Sequence, residues 1–361
     1  MMKELEKDFP LTLSKTKIKG LNKKFNLSNV ADRRRYFKAK AGKEIEKLKQ
    51  YFNRHTFIVY WLGKKNSGKG TYSKLMVELF GSNRISHISV GDVVRDVHAD
   101  IASPKKRKEI VDYLKKNYRG YISINQAIEA LLGRGTKFLL PTEFILALVK
   151  REIDKNPGKT IFIDGFPRGM DQISYSLYFR DLINHREDTD IFVLIDIPQE
   201  VIDQRMRHRV VCPVCHAPRS LKFLTTQKVG YDKGKKEFYL ICDNPECKGA
   251  RMVPKEGDSL GIESIRERLE LDGQLIKKVF SLHGVPKILL RNAIPIDKAK
   301  KLVDDYEITP EYFYEFKKGG QIKTLEKSWI INDDDGRKSY SLLSPPVVVS
   351  LIKQLAEILI G

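Results

Sequence analysis

The clearest chemical signal in this sequence is a glycine-rich loop that carries a lysine. The letters GKKNSGKGT run from Gly63 to Thr71 and fit the pattern G-x-x-x-x-G-K. Glycines let backbone N–H groups turn towards an anion, and a helix that begins at the loop points its positive end at the same place. One position departs from the general pattern, because Gly70 follows Lys69 where Ser or Thr is usual. The loop predicts a phosphate-binding site in which Lys69 reaches the phosphates.

The four cysteines of the chain form a second cluster. They stand in two close pairs, Cys212 with Cys215 and Cys242 with Cys247. Two such pairs suit a tetrahedral zinc site with four cysteine ligands, each pair forming a tight knuckle. Disulfides are the alternative, but nothing in the sequence points to an oxidising compartment. We therefore predict a structural zinc ion held by four thiolates.

The elements that would position these groups alternate between strands and helices. An apolar run at 57–62 predicts a buried strand directly before the loop, and a helical pattern follows at 70–80. Further strands are predicted at 161–163, 191–195 and 287–290, and helices at 29–52, 142–154 and 262–280. This alternation predicts an α/β fold, a parallel sheet with helices on both faces. The region 212–251 interrupts it and is expected to be a small inserted β unit, with hairpin strands at 220–224 and 237–241.

The charge balance is strongly basic. The chain of 361 residues has 66 Lys and Arg against 46 Asp and Glu, and residues 1–55 alone hold 16 basic and 6 acidic residues. This segment is interpreted as a solvated arm, and contact with nucleic acid is the alternative. No apolar run approaches the ~18 residues of a membrane span, so no membrane partner is expected. The first residues do not resemble a secretory signal, and we expect a cytoplasmic protein.

Three ordered segments together resemble the adenylate kinases and related nucleoside monophosphate kinases over about residues 56–306. The loop has the family's G-K-G-T ending. The segment HISVGDVVR at 87–95 is similar to I-S-T-G-D-x-x-R, and DGFPRGMDQ at 164–172 is similar to D-G-F-P-R-x-x-x-Q. The resemblance implies a P-loop NTPase-type fold with ATP and Mg²⁺ as cofactors. It also implies AMP as the acceptor and two molecules of ADP as the product; a CMP or UMP kinase is the alternative. Some bacterial members have a similar lid with four cysteines.

The resemblance implies roles for individual residues on the donor side. The phosphates of ATP would be held by Gly63, Ser67, Gly68, Lys69, Gly70 and Thr71. Arg205 and Arg209, at the entry to the lid, would contact the donor adenine and its phosphates. Asp164 would orient hydrated Mg²⁺, with Asp92 assisting. These expectations agree with the chemistry, because Mg²⁺ prefers oxygen ligands and keeps several of its waters.

On the acceptor side, the resemblance implies that Arg95 and Arg168 hold the phosphate of the monophosphate. Gln172 would hydrogen-bond its base, which favours AMP over CMP or UMP. Arg268, at the lid's exit, would face the reacting phosphates. Arginine suits these places because its planar fork grips phosphate with two parallel hydrogen bonds. The positive charge of the transition state would come from Lys69, Arg168, Arg209 and Arg268.

Some positions depart from the family pattern. The family has an arginine just before a pair of aspartates at the lid's exit, whereas this chain has a single Asp258 there and no arginine. Arg251 and Lys255 are the two candidate replacements. Val90 stands where the family has Thr. A nucleotide-dependent binding module with weak catalysis, which contacts RNA through its basic arm, is therefore the alternative to an enzyme.

We divide the chain into three regions on this basis. They are a basic N-terminal extension at 1–55, a kinase core at 56–306 and a C-terminal extension at 307–361. Within the core, the acceptor-binding region is predicted at 93–140 and the lid at 205–268, with its zinc ribbon at 212–247. An apolar stripe after Pro346 predicts a C-terminal helix that packs on the core or on the N-terminal helix. Dimerisation through that stripe is the alternative, and we expect a monomer.

Overall fold

A parallel sheet of five strands forms the centre of the fold, in a computed structural model that describes residues 14–133, 140–166, 182–183, 185–317 and 319–361. In order across the sheet the strands are β10 (Lys287–Arg291), β4 (Thr189–Asp196), β1 (Phe57–Gly63), β3 (Thr160–Asp164) and β2 (Ile85–Ser89). The predicted α/β architecture is confirmed. The sequence pattern missed β2, because the segment ISHIS contains neither a continuous apolar run nor a strict alternation of apolar and polar residues.

Helices cover both faces of the sheet, because successive side chains of a strand point to opposite sides. Tyr60 packs into one layer and Trp61 into the other. The first layer is made by α3 (Val90–Asp100), α4 (Pro104–Asn117), α5 (Ile124–Leu131), α6 (Thr142–Asp154) and α8 (Arg266–Phe280). The second is made by α1 (Val30–Tyr51), α2 (Lys69–Phe80), α9 (Ile296–Leu302) and α10 (Ser344–Ile360). None of the helices among the residues described here is long and apolar enough to span a membrane.

The two terminal extensions meet at a buried acid on the second layer. Glu307 accepts hydrogen bonds from the Thr16 and Tyr36 hydroxyls, each at 2.6 Å, and its side chain is fully buried. Nearby, the Lys40 ammonium lies 2.6 Å from Asp304. Burial is the main reason that the pKa of Tyr36 is raised well above its usual value. Because a buried charge is costly without partners, this network ties the N-terminal segment firmly to the start of the C-terminal one.

The inserted unit is a set of small antiparallel strands between the sheet and α8. Helix α7 (Gln199–Arg207) leads into it, and its strands are β5 (Arg209–Val211), β6 (Pro218–Ser220), β7 (Lys228–Asp232), β8 (Glu237–Ile241) and β9 (Val253–Pro254). The predicted hairpin partner of β8 was wrong, because β8 pairs with β7 and not with 220–224. That segment is a tight turn, in which the Ser220 hydroxyl accepts from the backbone N–H groups of Lys222 and Phe223.

The C-terminal extension adds strands that reach the inserted unit. A small sheet has the order β11 (Ala293–Pro295), β15 (Lys338–Ser341) and β14 (Ile330–Asn332), and β12 (Pro310–Phe316) forms a hairpin with β13 (Ile322–Ser328). The Tyr314 hydroxyl donates to the Leu221 carbonyl at 2.7 Å, and the rings of Trp329 and Phe223 lie 4.0 Å apart. The extension therefore packs on the unit that the sequence predicts to be a lid.

Candidate active site

The glycine-rich loop leaves the carboxyl end of β1 and turns directly into α2. Gly63 adopts a φ of +154°, and a Cβ there would lie 2.8 Å from the Ser67 hydroxyl oxygen. Gly68 caps α2 with a φ of +102°, in the left-handed region that glycine adopts without steric cost. The loop thus needs glycine at both places, one for a close approach and one for a turn.

Two side-chain donors in the loop have no acceptor among the described residues. The Ser67 hydroxyl and the Asn66 amide nitrogen are buried and make no hydrogen bond. The Lys69 ammonium donates to the carbonyls of Gly63 and Lys64, at 2.9 and 3.2 Å, so it folds back over its own loop. Buried donors without partners are costly, and an anion at the positive end of α2 would satisfy them. The geometry is that of an anion site.

A cavity of about 420 Å³ opens beside the loop. Its charged lining is Lys65, Lys69, Asp164, Arg268 and Asp272. Asp164 stands at the carboxyl end of β3, with a carboxylate oxygen 3.9 Å from the Lys69 nitrogen. The structure therefore brings four of the predicted site residues together, namely Gly63, Lys69, Asp164 and Arg268. Three basic side chains and two carboxylates around one cavity suit a ligand that carries phosphate and a divalent cation.

The site residues predicted on α3 lie apart from this cavity. Arg95 and Asp92 lie one turn apart on α3 and form an ion pair with each other, with both side chains more than half exposed. Neither residue lines the 420 Å³ cavity. Arg168 and Gln172 lie outside the described residues, as does part of the predicted acceptor region, 134–139. Val90 is buried at the start of α3 and packs in the core.

The lid arginines differ in their surroundings. Arg209 forms an ion pair with Asp258, whose second carboxylate oxygen accepts from Arg209 at 2.8 Å, and it also donates to Asn66 of the loop at 3.4 Å. Arg205 has no hydrogen bond or ion pair in the described part of the chain, and burial lowers its pKa. Arg209 thus links the inserted unit to the phosphate loop, whereas the Arg205 guanidinium is buried near Tyr72.

The two candidate replacements for the missing lid arginine lie in different places. Arg251 pairs with Asp232 at 2.9 Å and stacks over the ring of Tyr239 at 4.0 Å, so its guanidinium belongs to the β7–β8 hairpin. The backbone N–H of Lys255 donates to the carbonyl of Arg209 at 3.3 Å, and the Lys255 side chain is exposed. Lys255 is therefore the one that lies beside the loop-contacting arginine.

The four cysteines converge, as their spacing predicts. The sulfur atoms of Cys212, Cys215, Cys242 and Cys247 all lie within 4.8 Å of one another. A hydrogen bond from the backbone N–H of Cys215 is the largest cause that lowers the pKa of the Cys212 thiol, to about 6. Thiolates in a tight group of four are the ligand set of structural zinc, so the residues present fit that metal. The unit around them has only a small core, made of Val210, Cys212, Leu240, Cys247 and Met252.

Two acidic groups at the phosphate loop were missed by sequence reasoning. Asp272 accepts a hydrogen bond from the backbone N–H of Lys65 at 2.9 Å and pairs with Arg268 at 2.8 Å. Asp334 of the C-terminal extension pairs with the Lys64 ammonium at 3.0 Å. The four-residue spacing of Arg268 and Asp272 on a predicted helix was a usable signal, because such residues share a face. No local pattern pointed to Asp334.

A phosphate loop between strand and helix, on a parallel sheet with a four-cysteine insertion, defines the class of P-loop kinases that act on nucleotides. Residues 62–211 match the family described as an AAA domain. The chain is similar to the adenylate kinase of Clostridium tetani, at 30% identity over 230 residues, which cover 63% of this chain and 87% of that protein. It is also similar to the adenylate kinase of Thermotoga petrophila, at 28% identity over 65% of this chain and 88% of that one.

The chain belongs to the adenylate kinase family. The resemblance that three short motifs suggest therefore extends over most of the length of these relatives. More than a third of this chain lies outside the aligned part.

Proposed function

We propose that this protein catalyses the reversible transfer of the terminal phosphoryl group of MgATP to AMP, giving two molecules of ADP. One observation carries the proposal. The buried donors of Asn66 and Ser67, with the Lys69 ammonium, form an anion site at the mouth of a cavity that Asp164 and Arg268 also line. The similar proteins of C. tetani and T. petrophila are adenylate kinases, which supports this choice of reaction.

The donor phosphates would lie in the loop. They would accept from its backbone N–H groups and from Lys69, which exchanges its own carbonyl partners for phosphate oxygen. The loop residues assigned to this task are Gly63, Ser67, Gly68, Lys69, Gly70 and Thr71. Arg205 would lie against the adenine, since its guanidinium makes no hydrogen bond or ion pair within the described ranges and can stack on a ring.

Phosphoryl transfer needs positive charge around the moving group more than it needs covalent chemistry. We assign that charge to Lys69, Arg168, Arg209 and Arg268. Arg209 already contacts the loop through Asn66, and Arg268 lines the cavity. Their paired carboxylates, Asp258 and Asp272, would orient the two guanidinium groups towards the phosphate oxygens.

The acceptor would enter from the side of α3. Arg95 would leave its exposed pair with Asp92 and bind the phosphate of AMP together with Arg168, and Gln172 would hydrogen-bond the base. An exposed ion pair contributes little free energy, about 0–1 kcal/mol, so its exchange for a phosphate costs little. We propose AMP as the preferred acceptor because a glutamine amide can pair with the adenine edge.

Two metals belong to the proposal. Mg²⁺ bound through water to Asp164, with Asp92 assisting, would neutralise charge on the transferring phosphates. Zinc would be held by the four cysteines and would stabilise the inserted unit, whose core is too small to do so alone. Four thiolates leave no coordination position for substrate, so the zinc is assigned a structural role.

Closure of two parts would exclude water, which otherwise competes with AMP for the phosphoryl group. We propose that these parts are the acceptor region at 93–140 and the lid at 205–268, within a catalytic core at 56–306. The terminal extensions at 1–55 and 307–361 are proposed additions to that core.

A single chain supplies every residue assigned here, so we propose that the monomer is active. We also propose a cytoplasmic location, because a reducing compartment keeps the four thiols available to metal.

A panel of acceptors tests the proposal. The rate of ADP formation from ATP and Mg²⁺ should be highest with AMP and much lower with CMP, UMP and GMP. A preference for CMP or UMP would keep the reaction type and overturn the role given to Gln172. Folded, zinc-loaded protein that turns over none of the four acceptors would favour a nucleotide-dependent binding module instead.

A further inference from the structure

One carboxylate joins the phosphate loop to the helix that follows the lid. Arg268 and Asp272 lie four residues apart on α8 and so share a face of that helix. One oxygen of Asp272 lies 2.8 Å from the Arg268 guanidinium. The other accepts the backbone N–H of Lys65 at 2.9 Å. The two oxygens thus bind two different elements at once.

The Asp272 carboxylate is buried, and burial disfavours its negatively charged form. The Asp272 side chain is only 7% exposed. Burial raises its pKa, and the charge of Arg268 is the largest influence that opposes the shift. Only the carboxylate of this ion pair is buried, and the cost of removing its charge from water offsets much of the stability that the pair would contribute. The arrangement is therefore better explained by what it holds in place than by stability.

The group that Asp272 holds in place is the positively charged guanidinium of Arg268 at the candidate site. Arg268, Asp272 and Lys69 line the same cavity. An arginine side chain has several rotatable bonds, and a fixed partner removes most of that freedom before a ligand binds. Because the same carboxylate is bonded to the loop, the position of the guanidinium is set relative to the loop itself.

We propose that Asp272 is a positioning residue for phosphoryl transfer, which fixes the Arg268 guanidinium at the phosphate loop. The inference rests on the proposed function and deepens it. Asp272 touches neither nucleotide in this account and acts only through Arg268 and the Lys65 amide. Misplacement of a charged group by ~1 Å can lower a rate by ~100-fold, which sets the expected size of the effect.

The test is Asp272→Asn, which keeps an oxygen for the Lys65 N–H but faces Arg268 without a negative charge. We expect kcat to fall by about 10- to 100-fold, with a change in KM for ATP of no more than about 3-fold. Glu267→Gln is the matched control, since it makes the same charge change at an exposed position of the same helix and should leave kcat unchanged. Asp272→Glu keeps the charge but moves it by one methylene, and should also lower kcat.

A double-mutant cycle separates positioning from a merely structural role. If Asp272 acts through Arg268, Asp272→Asn should cause no further loss in an Arg268→Ala background. An unchanged kcat in both Asp272 variants, or an equal loss in the presence and absence of Arg268, would overturn the inference. Absence of transfer by the unaltered protein would instead overturn the proposed function, and the inference would fall with it.

Discussion

Lys69→Ala should lower kcat for ADP formation by about 100- to 1000-fold, while the protein stays folded. The lysine supplies the positive charge that would contact the phosphates. Removal of one such group from a preorganised site lowers kcat by about 100- to 1000-fold. In the structure its ammonium donates to the carbonyls of Gly63 and Lys64 and lies 3.9 Å from Asp164. The two apolar core clusters on either side of the sheet are built from other side chains, so the melting temperature should change little.

Lys74→Ala is the matched control for this experiment. Lys74 lies on the same helix, α2, and its side chain is exposed. The control removes the same charge and should keep kcat within about 2-fold, as expected for a surface substitution. Near-normal turnover in Lys69→Ala would refute the assignment of the loop as the phosphate site.

The purified protein should contain about one zinc ion per chain, and loss of that metal should unfold the inserted unit. Structural zinc contributes ~10–16 kcal/mol in small domains, which exceeds what a core of five side chains provides. Cys212→Ser removes one thiolate from a group whose sulfur atoms lie within 4.8 Å of one another. We expect this variant to lose zinc, to melt at a lower temperature and to transfer phosphoryl groups slowly.

His216→Asn provides the control for the zinc experiment. His216 follows the first cysteine pair and has a φ of +56°, a conformation that asparagine tolerates. It is not among the four clustered ligands, so zinc content and melting temperature should match those of the unaltered chain. A metal-free protein with an unchanged melting temperature would refute the structural role of the metal.

Local patterns in the sequence predicted the parts of the site that are continuous in the chain. The apolar run at 57–62 and the glycine loop lie next to each other, and the structure has them as β1 and the turn into α2. The cysteine pairs were equally recognisable, because zinc knuckles are made by residues a few positions apart. These features depend on spacing, which the sequence displays directly.

Contacts between distant segments could not be predicted in this way. Asp272 binds the amide of Lys65 across 207 residues, and Asp334 pairs with Lys64 across 270 residues. Nothing local marks either acid as a partner of the loop. Strand β12 is rich in aromatic residues, which are typical of a core strand, yet Tyr314 and Phe316 instead contact the inserted unit. Pairing of this kind is decided by tertiary packing.

The cap of α1 shows the same limit on a smaller scale. Ser28 and Asn29 both precede the helix and both are common cap residues, and it is the side chain of Asn29 that accepts from the backbone N–H of Asp32 at 3.0 Å. Ser28 instead donates its own backbone N–H to the side chain of Asn26. Both residues are good caps, and the turn before the helix decides between them.

In the proposed reaction the terminal phosphoryl group moves from ATP to AMP and not to water. The most direct measurement uses ATP labelled in its terminal phosphate, with Mg²⁺, AMP and zinc-loaded protein, and follows where the label goes. We expect label in the ADP formed from AMP, little labelled inorganic phosphate, and almost no reaction with Lys69→Ala. Label that appears mainly as inorganic phosphate, or that stays in ATP when AMP is present, would contradict it.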